Sequence, residues 1–175
     1  MQPQKKSHIS LIGAGLAGCF LAVLLAKRGF RVTVYERMTR KDTLKSSQRS
    51  INISFHNYTA DAFKKAGVWQ EIKKEILPLT GSITKLPFYP PIYASFKNIK
   101  LDYFSARREH LLEALVHKAA EYPNVKFVFN TALLHVNKVE KTILLQQVNS
   151  GKIKTVKTDI VIGADGVHST VRAFL

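Results

Sequence analysis

Apolar residues first gather at Ile9, Leu11 and Ile12, then spread across Leu16 to Ala26, then alternate at Val32 and Val34. The first run predicts a short strand buried on both faces, the second a helix that runs to Arg28 and stops at Gly29, and the third a strand over Arg31 to Tyr35. Polar, basic residues from Arg37 to Gln48 predict a surface loop. The stretch Arg49 to Ser54 predicts a short strand, and the next run predicts a helix from about Asn57 to Ala66 with Gly67 after it. Trp69, Ile72 and Ile76 recur at helical spacing as core positions of a further helix, Val68 to Ile76, before Pro78.

Prolines at 87, 90 and 91 and short alternations such as Ile99, Leu101 and Tyr103 predict small antiparallel strands between Thr80 and Tyr103. A helix over Arg108 to Tyr122 places Leu111, Leu112, Leu115, Val116 and Ala119 on one face. Val125 to Phe129 then predicts a strand returning to the main sheet, and Ala132 to Val148 with Ile153 to Val156 a hairpin turning at Asn149, Ser150 and Gly151. The last elements are a buried strand, Asp159 to Ile162, and a helix carrying Ser169, Thr170, Val171 and Arg172. Strands alternating with helices point to an α/β class: a Rossmann-like parallel sheet with helices and inserted antiparallel strands.

Between the first strand and first helix lies Gly13-Ala14-Gly15-Leu16-Ala17-Gly18, a GxGxxG turn. Gly13 suits a tight turn, Gly15 lets a pyrophosphate approach the backbone, and Gly18 lets helix and strand pack closely. The unpaired N–H groups of that helix end and its dipole favour an anion, so the turn reads as a diphosphate site. Glu36 ends the second strand, eighteen residues beyond Gly18. A carboxylate there suits free ribose hydroxyls and repels a 2′-phosphate, which favours FAD or NAD over NADP at this site. Asp165, with Gly163 and Gly166 about it, is a second carboxylate at a strand-to-helix turn, either holding ligand hydroxyls or capping the last helix.

Length bounds the organisation. The 175 residues, 46% of them hydrophobic, suffice for one domain burying roughly 70% of its unfolded surface and are too few for two full domains. Cys19 is the one cysteine, read as a small core residue, and the polar opening MQPQKKSH is no secretory signal, so a cytoplasmic protein is expected. The window Cys19 to Ala26 is too short to cross a bilayer, so no membrane partner is expected. The 27 Lys and Arg against 12 Asp and Glu give a net charge of +15, but they are scattered without interleaved aromatics, which argues against nucleic acid. The six histidines show no zinc spacing beside a third ligand, so no metal is expected. No nucleophile elbow or close carboxylate pair is present and no catalytic residue is assigned; an enzyme of this sequence would rely on its cofactor.

Three stretches in this order, GAGLAG with Glu36, RSIN at Arg49, and GADGVHSTVR from Gly163 to Arg172, resemble the FAD-dependent aromatic hydroxylases over the whole chain. Within that class the chain is most similar to the kynurenine 3-monooxygenases, through RSINIS, RREHLLEAL at Arg107 to Leu115 and AAEYPNVKFVFN at Ala119 to Asn130. The resemblance implies that Gly13 to Gly18, Glu36 and Arg37 hold the ADP part of FAD, that Arg49 and Arg108 lie near the flavin and its phosphates, and that Asp165 and Gly166 serve FAD and the incoming nicotinamide nucleotide. Without the resemblance, Arg49 reads equally as a phosphate ligand or as a residue leading its strand. The implied chemistry is reduction of FAD by NAD(P)H, addition of O2, and transfer of hydroxyl from a flavin hydroperoxide to a small aromatic substrate.

Two features depart from the family. The segment matching its substrate-binding arginine reads GSITKL, with Lys85 as the one cation, and the family continues well past the aspartate-glycine motif. The expectation is therefore residues 1–175 as the N-terminal part of an FAD-binding domain with the start of a substrate-domain β segment at about 80–103, the chain being a truncated product, an excised piece, or one half of a split gene with a separately encoded C-terminal part as partner. Two other readings share this fold: a dinucleotide-binding module without catalysis and an NAD-dependent dehydrogenase.

Overall fold

In a computed structural model the described residues are 7–45, 51–97 and 101–174. The chain divides into two compact units, residues 49–114 and the remainder. Within the remainder, β1 (His8–Ile12) and β2 (Arg31–Tyr35) form where the sequence predicts them, joined by α1 (Leu16–Lys27). With β8 (Val125–Val128) and β12 (Ile160–Gly163) they make a parallel sheet of order β12-β1-β2-β8. Every residue of β1 is buried, as a strand covered on both faces requires. Leu11 points to α1, whose buried face is Gly18, Cys19, Ala22, Val23 and Ala26. Ile12 and Tyr35 point the other way into a core with Leu133, Ile143, Leu145 and Val171.

That second face is covered by a meander of order β11-β10-β9: β9 (Thr131–Asn137), β10 (Thr142–Gln147) and β11 (Ile153–Lys157). The stretch 132–148 is thus two strands and not one. Asn137 Oδ1 accepts from the N–H groups of Val139 and Glu140, a side-chain turn that reverses the chain before Lys141. The turn at Gly151 closes the next hairpin as expected, with Gly151 at φ +68°. The final strand is not buried: β12 is the sheet edge and Ile160 is 43% exposed. Among the described residues no regular helix follows it, and the chain forms a 3-10 turn over Val171–Phe174.

The predicted loop over 37–48 contains a helix, α2 (Arg40–Leu44). Thr39 caps it, its Oγ1 accepting from the N–H of Asp42, a threonine-to-acid spacing that marks helix starts.

In residues 49–114, β3 is Asn52–His56, starting three residues and ending two residues later than the strand expected over Arg49 to Ser54. α3 (Asn57–Ala66) ends at Gly67 in the left-handed conformation, φ 80°, as predicted. The following helix is shorter than expected: α4 (Trp69–Ile72) passes into a 3-10 turn (Lys73–Glu75), and Pro78 lies inside β4 (Leu77–Leu79). Trp69 is half-buried beneath Lys64, whose Nζ stands 5.4 Å from the ring centroid. Among the described residues β5 (Gly81–Thr84) and β6 (Ile92–Ser95) form a two-stranded sheet, while β7 (Tyr103–Arg107) pairs with β3 and β4. Phe55 meets Phe63 and Phe104 at ring distances of 5.7 Å in this unit's core. α5 (Arg108–Ala120) buries Leu111, Leu112, Leu115, Val116 and Ala119, the face read from its spacing.

Candidate functional site

The glycine turn is built by crowding on two sides and space on the third. Gly13 has φ +103°, and a Cβ there would stand 2.4 Å from the Ala164 carbonyl oxygen. A Cβ on Gly18 would stand 2.0 Å from the Gly13 carbonyl oxygen, so no larger residue fits either position. Gly15 differs: nothing lies within 4 Å of where its Cβ would be. It is the N-cap of α1, with no side chain capping it and no acidic residue in the first turn. The first helical bond is Cys19 N–H to the Gly15 carbonyl, 2.9 Å, which leaves the N–H groups of Leu16, Ala17 and Gly18 without helical acceptors. Ala17 is exposed at this mouth. A donor-rich helix end over open space suits a diphosphate.

Glu36 is buried, at 8% exposure, and both carboxylate oxygens are engaged. Oε2 accepts from the Ala14 N–H at 2.8 Å and Oε1 from the Met38 N–H at 2.9 Å. The side chain thus ties the glycine turn to the end of β2, and its remaining lone pairs are available to a ligand. The segment around it is braced from β9: Thr131 N–H donates to the Glu36 carbonyl and Asn130 N–H to that of Met38. Sequence reasoning missed Asn130, whose φ of +55° is its one signal, since asparagine tolerates that conformation. Arg37 is exposed beside this segment.

The second glycine motif meets the first. Ala164 N–H donates to the Ile12 carbonyl at 2.7 Å, and the Cβ built at Gly13 lies 2.9 Å from Asp165 Cα. Asp165 Oδ1 accepts from Ser169 Oγ–H at 2.7 Å, and Oδ2 from the N–H groups of Thr170 and Val171 at 2.6 and 3.2 Å. Its carboxylate therefore caps the 3-10 turn. Burial pushes this carboxyl up, but the bonds from Ser169, Val171 and Thr170 outweigh it and hold the group below its ordinary value. Gly166, at φ +81°, is exposed next to it.

Of the two arginines expected near a flavin, Arg49 lies outside the described residues. Arg108 is the first residue of α5, its N–H donating to the Ile51 carbonyl at 2.9 Å. Among the described residues no helix is long and apolar enough to cross a membrane, and no three His, Cys, Asp or Glu side chains gather as a metal site.

Residues 6–175 match the family described as FAD binding domain. The chain belongs to that family. Its curated relatives include kynurenine 3-monooxygenase of Salinispora arenicola, 29% identical over 97% of this chain and 38% of that protein. The enzyme of the same name from Sus scrofa is 31% identical over 98% of this chain and 36% of that protein. The chain thus spans a little over a third of the length of the curated relatives it matches. Among solved structures, p-nitrophenol 4-monooxygenase of Pseudomonas putida superposes with a TM-score of 0.79 at 18% identity, over 95% of this chain and 42% of that one. A probable FAD-dependent monooxygenase of Pseudomonas aeruginosa gives 0.76 at 21%, over 95% and 44%. The Rossmann-like fold of an FAD-binding domain is shared across these proteins.

Proposed function

We propose that this FAD-binding domain holds the ADP half of FAD at the Gly13–Gly18 turn and serves an NAD(P)H-dependent monooxygenase of small aromatic substrates. The observation that carries the reading is the open space over Gly15, between two glycines that are walled in. The N–H groups of Leu16, Ala17 and Gly18 would hold the diphosphate, and Glu36 would receive the ribose hydroxyls while keeping the turn in place. Arg37, exposed beside Glu36, would add a positive charge near the nucleotide. Asp165 would act by holding the Gly163–Gly166 turn against Gly13, so that this wall of the site is formed before the cofactor arrives. FAD supplies the redox chemistry when bound; the chain supplies binding, orientation and exclusion of water.

Support for an aromatic substrate comes from the relatives, which are named kynurenine 3-monooxygenases, so kynurenine is the first candidate. In the stretch Gly81–Leu86 the one cation is Lys85, so an arginine-type clamp on the substrate carboxylate is replaced there by a single ammonium. The test is a titration of the purified chain with FAD, NAD and NADP, followed by calorimetry, together with a Gly15→Leu variant. FAD binding that Gly15→Leu abolishes supports the reading. Preference for NAD would favour a dehydrogenase. FAD binding without substrate-dependent NAD(P)H oxidation, even when the remaining length of the relatives is supplied, would favour a module without catalysis.

A further inference from the structure

At the end of β1 opposite the glycine turn, two cavities meet at Lys141, Thr158 and Asp159. One, of about 300 Å³, has apolar walls from Val136, Val161, Val171 and Phe174. The other, of about 530 Å³, is polar and brings together Arg31, Lys141 and Lys157 with Glu140 and Asp159. β1 has five residues, so the polar lobe at His8 and Asp159 lies roughly 17 Å from the diphosphate site, while the apolar lobe extends along β12 to Val171. The proposed monooxygenase function places no ligand in it.

We propose that this two-lobed cleft binds a small amphiphilic carboxylate, with its apolar body between Val161 and Val171 and its head at Lys141. Charge selects the head. Arg31, Lys141 and Lys157 take part in no ion pair among the described residues. Asp159 is committed to the His8 N–H at 2.6 Å. Four cations, Lys138 at the apolar lobe included, against two carboxylates favour an anionic head group. Volume selects the body, since about 300 Å³ is at the small end of ligand pockets and admits one ring or an eight-carbon chain.

The backbone supplies an independent observation. Lys141 stands at φ +53°, a conformation in which glycine would be easier and a lysine is held under strain. Its carbonyl accepts from the Thr158 N–H at 3.0 Å, and Thr158 Oγ1–H donates to the Ile160 carbonyl at 3.0 Å, so the floor shared by both lobes is braced without a ligand. Lys141 is exposed and lines both lobes, which suits its ammonium to a head group shared between them.

The probe is octanoate, titrated into the isotope-labelled chain and followed by amide chemical shifts. Saturable binding with Kd on the order of 0.1–1 mM is expected for a ligand of this size. Shifts should centre on Val136, Thr158, Val161 and Val171, with octanol and acetate each binding at least about tenfold more weakly. Lys141→Gly should raise Tm by relieving the turn while weakening octanoate about tenfold, a pairing that a merely structural role would not produce. Val161→Trp, which fills the apolar lobe, should abolish octanoate shifts and leave FAD binding unchanged. Equal affinity for octanol and octanoate, or octanoate affinity unaltered by Lys141→Gly, would overturn the proposal. Loss of octanoate binding in a chain extended to the length of its relatives would also overturn it, by assigning the cleft to a segment of protein.

Discussion

Glu36 carries two duties, and substitution separates them. Removing the carboxylate leaves the buried Ala14 N–H without an acceptor, which costs about 1–3 kcal/mol of stability. Glu36→Ala should therefore lower the urea midpoint even without cofactor, and weaken FAD by a further 1–3 kcal/mol, roughly the loss of charged hydrogen bonds to ribose. Unchanged stability would mean that the Ala14 bond contributes nothing. Gly13→Ala is harsher at the same site. Its Cβ would meet the Ala164 carbonyl oxygen at 2.4 Å and a φ of +103° that alanine avoids, so a loss of about 3 kcal/mol or more is expected in denaturant titration.

Among the elements, α1 depends on a residue far away in the chain. Asn124 Nδ2 donates to the carbonyls of Ala26 and Phe30 at 3.0 and 2.7 Å, tying the C-terminal end of α1 to the start of β8. Asn124→Ala should cost about 1–3 kcal/mol and raise amide exchange at the last turn of α1, because the Phe30 carbonyl loses this donor and the Ala26 carbonyl keeps the N–H of Gly29. An exchange pattern unaltered there would refute it. α2 offers a smaller effect: Thr39→Ala removes its cap and should cost about 1 kcal/mol.

At the scale of the whole molecule, His8, which is buried, and Asp165, which is partly buried, make stability depend on pH in the acid range. Burial and the neighbouring Arg31 hold the buried His8 below its ordinary value of 6.5, against smaller opposing effects of the Lys157 carbonyl and Asp159. The unfolded chain therefore takes up this proton first, so stability falls as pH drops below about 6.5 towards the folded value. Asp165, also lowered, from 3.8, keeps its contribution above that value and loses it as pH falls further. A plot of Tm against pH should descend twice on acidification, and His8→Gln should remove the first descent only. Association is a second property at this scale. On the β5–β6 hairpin Ile83, Phe88, Tyr89 and Tyr93 are between 60% and 104% exposed, and Phe88→Ser with Tyr93→Ser should reduce self-association in sedimentation.

Much of the nucleotide-binding half was legible because its signals are local. A glycine needed for φ +103°, an apolar run for a strand covered on both faces, and an acid at the end of β2 are each written in a few consecutive residues. The ends of α3 at Gly67 and of α1 at Gly29 were legible for the same reason. Turn chemistry that was equally local, at Thr39 and Asn137, was there to be read and marks where attention to side-chain capping would have corrected the loop and the single strand. Tertiary structure alone decided the rest. Whether β12 is buried depends on whether a strand lies beyond it, and sequence periodicity cannot state a sheet's edge. That Asp165 caps its own turn, that Glu36 is tied to Ala14, and that Lys141 joins Arg31 in one cleft are all matters of which atoms arrive together. Hydrogen bonds and charges act over a few ångströms, and only the folded chain brings residues as distant in sequence as His8 and Asp159 within that reach.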